Sequence, residues 1–188
     1  AYAAKHGYGN IILGLGGSGC CDGGMGALTA LGAKFYDENQ ELMLKPKSND
    51  MNFIFGTDFS KCIKPINFTF ACDVDNPFCA ENGAAYVFAA QKGANKTQIK
   101  ELDEGLKRLN AFFKTDVSKI DGTGAAGGLC GGLYAVYGGK IVSGFDVLSE
   151  HSKLEDKIKS ADIVITGEGK TDKQTLMGKL PFKVSQLC

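Results

Sequence analysis

The residues best suited to chemistry lie in a glycine-rich segment near the start of the chain, residues 14–26, in which seven positions are glycine. An apolar run, residues 11–13 (Ile-Ile-Leu), leads directly into this segment. A strand that ends in such a loop commonly binds phosphate, because glycine lets backbone N–H groups approach the anion and the next helix adds a favourable dipole. The carboxylate of Asp22 would repel a phosphate unless it binds Mg²⁺ or accepts hydrogen bonds that hold the loop.

Two more apolar, strand-like runs end in loops that carry acidic side chains. Residues 68–72 lead into residues 73–77 (Asp-Val-Asp-Asn-Pro), and residues 163–165 lead into residues 166–172 (Thr-Gly-Glu-Gly-Lys-Thr-Asp). Loops at the carboxyl ends of parallel strands gather at one crevice, and Mg²⁺ prefers hard oxygen ligands such as carboxylates. We therefore expect one group of acids to meet there: Asp22, Asp73, Asp75, Glu168 and Asp172.

Helical segments separate these runs, which predicts an α/β fold with layered helices around a mostly parallel or mixed sheet. The clearest helix spans about residues 95–113, where apolar residues recur at three- and four-residue spacing and Asn95 with Gln98 predicts a capping box. A second glycine cluster, residues 122–132, precedes another apolar run. Two explanations stay open for this cluster: close packing against another backbone, or a loop and helix start that bind a ligand.

Composition narrows the function classes. The chain has 188 residues, 44% of them hydrophobic, and no net charge, which predicts one domain and argues against a nucleic-acid tract or a membrane surface. Arg108 is the only arginine, so a bound phosphate must rely on lysine, backbone N–H groups or a metal. The seven cysteines lack zinc-site spacing and indicate reduced thiols in a cytoplasmic protein; Cys20 and Cys21 are interpreted as small space-fillers.

Two familiar nucleotide motifs fit only in part. Residues 14–19 match G-x-G-x-x-G, and Asp37 follows 18 residues after Gly19, as in the dinucleotide fingerprint. However, Asp22 places a negative charge where that fingerprint would hold a pyrophosphate. The sequence Gly169-Lys170-Thr171 resembles the end of a P-loop, but Val164 stands where the first glycine is required.

The clusters taken in order resemble another family, the two-domain glycerate kinases of bacteria and some eukaryotes. The motifs that carry this resemblance span nearly the whole chain: residues 16–18, 22–24, 31–33, 71–77, 82–85, 91–94, 122–128 and 166–172. Three positions depart from the family pattern. Cys20 and Cys21 stand where small polar residues are usual, Lys170 replaces an arginine and so lacks its fork geometry, and Ala90 replaces a proline.

The resemblance implies an enzyme that transfers the γ-phosphoryl group of ATP to a hydroxyl of D-glycerate with Mg²⁺. It also implies two α/β lobes around a cleft, one inserted into the other. The chain is then expected to be incomplete at both ends and inactive alone. Roughly residues 1–155 would form the inserted lobe, and roughly residues 156–188 would begin the return to its partner lobe.

The resemblance and the residue chemistry together suggest roles. The phosphate- and ATP-binding set is Gly16, Gly17, Ser18, Asp22, Gly23 and Gly24. The catalytic set is Asp73, Glu168 and Asp172, with Asp73 as general base or metal ligand and Glu168 as a second metal ligand. The substrate set is Asn76, Lys92 and Lys170.

Two alternatives remain at the level of sequence. The first is an NAD- or nucleotide-sugar-binding Rossmann-like enzyme, in which Asp37 contacts a ribose. The second is a non-catalytic kinase-like module that binds nucleotide or glycerate without turnover. Each of the three hypotheses predicts a small-molecule ligand and neither nucleic acid nor a membrane as partner.

Overall fold

The computed structural model describes residues 1–167, 169 and 180–188, which form two units, Ala1–Ile141 and Val142–Cys188. The strands in these residues are β1 (Asn10–Gly14), β2 (Lys34–Tyr36), β3 (Gly56–Asp58), β4 (Asn67–Ala71) and β5 (Lys140–Val142). The helices in these residues are α1 (Tyr2–Lys5), α2 (Met25–Ala30), α3 (Ala84–Phe88), α4 (Lys96–Ala111), α5 (Leu129–Tyr137), α6 (Gly144–Ser152), α7 (Leu154–Lys159) and α8 (Leu180–Ser185). Among the helices described, none combines the length and the apolar character that crossing a bilayer requires.

A parallel pair of strands confirms the predicted α/β fold. The main sheet has the order β1-β4-β5, and β1 runs parallel to β4 with Gly14 opposite Ala71. Phe68 and Phe70 of β4 are buried in the core beneath the helices. Because β1 and β4 end level with each other, the chain leaves both strands at the same edge of the sheet.

One predicted strand, in the second unit, is absent from the structure. Residues 163–165 form no strand, and the side chains of Ile163 and Ile165 are 79% and 92% exposed. A strand is stable only when a neighbour pairs with its backbone, and no other strand pairs with these residues in the described part of the chain. The third strand of the sheet is instead the short β5, which follows two glycines and was not predicted.

Helix α4 confirms the prediction made from periodicity and capping. The side chain of Asn95 accepts a hydrogen bond from the Gln98 N–H at 3.0 Å, and the Gln98 side chain accepts one from the Asn95 N–H at 2.9 Å. Arg108 on this helix donates from Nε to the carbonyl of Ile54 at 2.6 Å and lies over the ring of Phe55. The only arginine therefore has a structural role, which leaves phosphate binding to other groups.

A separate small sheet bears on the dinucleotide alternative. Strands β2 and β3 pair antiparallel with each other, and β2 has no place in the sheet that contains β1. A Rossmann fold needs those first two strands side by side and parallel, so that an acid after the second strand can reach the ribose. Asp37 instead closes a local turn, because its carboxylate accepts from the N–H groups of Asn39 and Glu41 at 2.9 Å each. The fold gives the dinucleotide hypothesis no support.

The second glycine cluster packs closely against the first. A Cβ atom on Gly132 in α5 would overlap the carbonyl oxygen of Gly23, and one on Gly127 would overlap that of Cys20. The ring of Phe78, fully buried, occupies the space beside Gly131. Of the two explanations that the sequence left open, close backbone packing accounts for these positions.

Candidate active site

Two loops lie side by side at the carboxyl edge of the main sheet. The glycine loop, residues 14–26, follows β1, and the acidic loop, residues 73–77, follows β4. Leu15 N–H donates to the carbonyl of Ala71 at 3.1 Å, so the pairing of the strands continues one residue into the loops. The predicted gathering of loops at one edge is confirmed for this pair.

The first half of the glycine loop is open. A Cβ atom on Gly14, Gly16, Gly17 or Gly19 would meet no heavy atom within 4 Å. Within the described residues, the N–H groups of residues 16–19 donate no hydrogen bond to another protein group. A run of unpaired N–H groups beside empty space is the arrangement that binds an anion through the backbone.

The second half of the glycine loop is closed and buried. The carboxylate of Asp22 accepts hydrogen bonds from the N–H groups of Gly24 and Gly26, both at 3.0 Å, and Gly23 N–H donates to the carbonyl of Gly127 at 3.1 Å. Asp22 therefore holds the loop, which answers why an acid is tolerated there. We expected the helix that follows the loop to add a favourable dipole for a bound phosphate. That expectation is wrong, because α2 has only six residues and the carboxylate of Asp22 already accepts hydrogen bonds from N–H groups at its start.

Gly23 and Gly24 belong to this packed half as well. Both are buried, and a Cβ atom on Gly23 would come within 2.6 Å of the Leu109 side chain. Their N–H groups already donate to Asp22 and Gly127, so these two glycines fix the shape of the loop and have no free N–H group for a phosphate. Gly16, Gly17 and Ser18 remain the positions from which N–H groups can reach an anion.

Lys92 joins the open half of the loop from 74 residues away in sequence. Its ammonium donates to Ser18 Oγ at 2.9 Å and to the carbonyl of Cys20 at 2.6 Å. Both partners are neutral, and among the residues described no carboxylate lies within ion-pair distance of Lys92. A half-buried positive charge that lacks a counter-ion can attract a negatively charged ligand.

A cavity of about 230 Å³ connects these groups. Its lining includes all three proposed N–H donors together with the lysine and one residue of the acidic loop: Gly16, Gly17, Ser18, Lys92 and Val74. Leu15, Phe88, Gln91 and Ala126 complete the wall, and none of them was predicted as a site residue. Gln91 and Ala126 lie in motifs that carry the family resemblance, whereas nothing in the sequence singled out Phe88.

Replacing Lys92 by Met is expected to raise the Kd for ATP about tenfold or more, because a charge-assisted hydrogen bond to phosphate contributes about 1.5–3 kcal/mol. Isothermal titration calorimetry of the full-length protein measures this change. Lys96→Met removes the same charge from an exposed position at the start of α4 and provides the control. Equal Kd values for the two variants would show that Lys92 does not contact the nucleotide.

The cysteines near the loop are not activated nucleophiles. Burial raises the pKa of the Cys21 thiol to about 11. Burial, reinforced by the negative charge of Asp22, also raises the pKa of Cys20. Because the thiolate is the reactive form of cysteine, neither thiol is activated. Cys21 is buried and fits the predicted role of a small space-filler, whereas Cys20 is exposed and does not.

The acidic loop presents Asp73 and Asp75 to solvent, and Asn76, which is partly buried, is held by two hydrogen bonds. Asn76 donates from Nδ2 to the carbonyl of Asn82 at 2.9 Å, and its own carbonyl accepts from the N–H of Gly124 at 2.9 Å. These contacts hold the loop against two other segments. Asp73 precedes Val74, which lines the cavity, but Asp73 is not itself one of the lining residues.

The described residues do not form a metal cage. Among them, no group of three or more His, Cys, Asp or Glu side chains could surround a metal ion. Mg²⁺ in phosphate-transfer sites often has only one or two carboxylate ligands, with phosphate and water completing the shell, so the exposed Asp73 stays a predicted single ligand. Glu168, Lys170 and Asp172, which were predicted to join it, lie outside the described residues.

Comparison of the sequence with known proteins shows which family the chain belongs to. The sequence pattern of the Glycerate kinase family matches residues 1–188. The chain belongs to the glycerate kinase family. The resemblance that the ordered motifs indicated is thereby confirmed over their whole span.

Individual relatives agree with the family. A glycerate kinase of Bacillus cereus is 42% identical over 98% of this chain and 50% of its own length. A glycerate 2-kinase of Escherichia coli is 39% identical over 99% of this chain and 50% of its own length. A solved structure from Salmonella typhimurium LT2, named for glycerate kinase 2, superposes with a TM-score of 0.86 at 36% identity, covering 99% of this chain and 51% of that one. The chain thus spans about half the length of the relatives it matches.

Proposed function

We propose that this chain supplies the phosphate-binding side of an ATP-dependent kinase that phosphorylates a hydroxyl of D-glycerate. The observation that carries the proposal is the open half of the glycine loop, where unpaired N–H groups and the ammonium of Lys92 face one cavity. Family membership supports the reaction class. Roughly residues 1–155 would form the inserted lobe and roughly residues 156–188 the start of the return to its partner lobe, in a cytoplasmic protein.

Phosphoryl transfer requires positioning, charge neutralisation and an acceptor for the hydroxyl proton more than covalent help from the protein. Gly16, Gly17 and Ser18 would bind phosphate oxygens through their N–H groups, and Lys92 would neutralise charge beside them. A substrate hydroxyl oxygen forms a bond to the γ-phosphorus while the bond from that phosphorus to the bridging oxygen of ADP breaks. Asp73 would accept the proton that the hydroxyl loses.

Magnesium, where bound, would neutralise the charge that develops on the phosphate oxygens. Asp73 could provide one ligand oxygen, with Glu168 as the predicted second ligand. Asn76 would act chiefly by fixing the acidic loop, since its amide already donates to Asn82. Lys170 keeps its predicted substrate-contact role, and Asp172 its predicted place in the catalytic set, as part of this proposal.

The glycine loop offers a direct test. Gly16→Ala is expected to raise the Kd for ATP about tenfold, because the added methyl group would fill the space through which a phosphate approaches the backbone. The fold itself should tolerate the change, since no protein atom lies within 4 Å of that methyl position. Titration calorimetry and thermal melting measure affinity and stability separately.

Gly14→Ala is the matched control, because Gly14 has equally open surroundings but is the last residue of β1 and is not one of the proposed N–H donors. The proposal requires a large Kd change for Gly16→Ala, almost none for Gly14→Ala, and similar melting temperatures for both. If both variants bind ATP like the unmodified protein, the open half of the loop is not the phosphate site.

A further inference from the structure

A buried carboxylate lies behind the acidic loop, on α4. Asp103 is 2% exposed. One carboxylate oxygen accepts from the N–H of Ala80 at 2.8 Å, and the other pairs with the ammonium of Lys107 at 2.9 Å. Burying a charged group is costly unless it is paired and hydrogen-bonded. A carboxylate placed there with both oxygens engaged fixes the groups that it contacts.

Ala80 has a backbone conformation that alanine rarely adopts. Its φ is 86°, in the left-handed region that favours glycine. A non-glycine residue persists there only where surrounding contacts hold it. Two hydrogen bonds do so at this position: the N–H of Ala80 donates to Asp103, and its carbonyl accepts from the N–H of Gly83 at 2.8 Å.

The turn that contains Ala80 is joined to the acidic loop by one hydrogen bond between side chain and backbone. Asn82, two residues after Ala80, accepts the hydrogen bond from Asn76 Nδ2 at 2.9 Å. Asn76 in turn is bound through its carbonyl to the N–H of Gly124 at 2.9 Å. The path from the helix to the acidic loop therefore runs from Asp103 through Ala80 and Asn82 to Asn76.

We propose that Asp103 is a positioning residue, which holds the turn of residues 78–83 and through it the acidic loop that carries Asp73. As a statement about catalysis the inference rests on the proposed function, but the mechanical link that it asserts does not. Asp103 is not among the residues that line the cavity beside the glycine loop. Its effect must therefore reach the site through the backbone of the turn.

Four variants separate this role from a general contribution to stability. Asp103→Leu removes the acceptor for the Ala80 N–H, whereas Asp103→Asn keeps an acceptor oxygen and removes only the charge. Lys107→Met removes the cation of the ion pair, which is its more exposed partner, and leaves the hydrogen bond from the Ala80 N–H to Asp103 intact. Ala80→Gly combined with Asp103→Leu should restore the turn, because glycine adopts the left-handed conformation without help.

Amide hydrogen exchange in the full-length protein tests the mechanical link without any turnover. Asp103→Leu is expected to speed exchange at the Gly124 amide, which is bonded to Asn76, at least about tenfold. The Val117 amide, bonded at 3.0 Å to Asn110 near the end of the same helix, should not change. Asp103→Asn and Lys107→Met should each speed exchange at Gly124 much less than Asp103→Leu does, because both keep an acceptor for the Ala80 N–H. Equal acceleration at Gly124 and Val117 would show loosening of the whole helix and would overturn the proposal.

Kinetics test the consequence for the reaction. Asp103→Leu should lower kcat about tenfold or more with little change in the KM for ATP, and Ala80→Gly should recover most of that loss. In an Asp73→Asn background the same Asp103→Leu change should cost almost nothing further, because coupled residues are not additive. Additive losses would overturn the positioning role. If the unmodified protein does not phosphorylate glycerate, the proposed function fails, and the exchange result at Gly124 still decides whether Asp103 holds the acidic loop.

Discussion

Asp73→Asn is expected to lower kcat for the ATP-dependent phosphorylation of D-glycerate about 10²–10⁴-fold, the usual contribution of a general base. Asparagine has nearly the same size and can still accept a hydrogen bond, but it cannot take the proton that the substrate hydroxyl loses. The glycine loop is unchanged by this substitution, so the Kd for ATP should change less than about threefold. Steady-state kinetics and calorimetry on the full-length protein provide both numbers.

Asp75→Asn is the control for that experiment. It makes the same chemical change two residues further along the same loop, at an acid that is also exposed but lies further from the end of β4 than Asp73 does. We expect its kcat to stay within about threefold of the unmodified protein. If Asp73→Asn keeps nearly full turnover, or if both variants lose it equally, Asp73 is not the general base and the proton acceptor must lie elsewhere in the protein.

Local features of this fold could be predicted from the sequence because neighbouring residues determine them. The capping box of Asn95 and Gln98 is one example, since both partners lie within one helical turn. The positions of the strands β1 and β4 are another, because apolar runs that end in glycine-rich or acidic loops are typical of strands in an α/β sheet. For such features the chemistry of a short segment is sufficient.

Long-range contacts could not be predicted in the same way. Nothing near Lys92 in the sequence indicates that its ammonium would reach Ser18, because that contact depends on where α3 and the following turn are placed by the core. Asp103 gave no signal either, since an acid within an amphipathic helix is usually exposed and this one is buried against the turn at Ala80. Tertiary packing determines both contacts.

The strand predicted at residues 163–165, which does not form, shows that composition alone is not enough to predict a strand. Its β-branched composition favours an extended conformation, but composition cannot supply the neighbouring backbone that makes a strand. The short β5 was not predicted and is nevertheless included in the sheet. Intrinsic preference was therefore a poorer guide than the availability of a partner.

The two glycine clusters raised a question that composition could not answer, namely which glycines leave room for a ligand and which leave room for the protein itself. The structure separates them by what surrounds each one. Gly16 and Gly17 face open space, whereas Gly124, Gly127 and Gly132 lie against carbonyl oxygens of other segments. Substitutions in the first group should therefore change binding, and substitutions in the second should change stability.

Gly132→Ala is expected to destabilise the protein by about 3 kcal/mol or more, at the upper end of the range for overpacked cores. In an isolated helix this change would stabilise by about 1 kcal/mol, since alanine has the higher helix propensity. Here, however, the new methyl group would overlap the carbonyl oxygen of Gly23, a backbone atom that cannot rotate away. The sign of the effect thus distinguishes packing from propensity.

Urea unfolding followed by circular dichroism measures this difference, and Gly14→Ala is again the control because its methyl group would meet no neighbour. A change in unfolding free energy below about 0.5 kcal/mol for Gly132→Ala would mean that α5 and the glycine loop can move apart. In that case the buried half of the loop would not be fixed by α5. The shape of its open half, on which phosphate binding depends, would then need a different support.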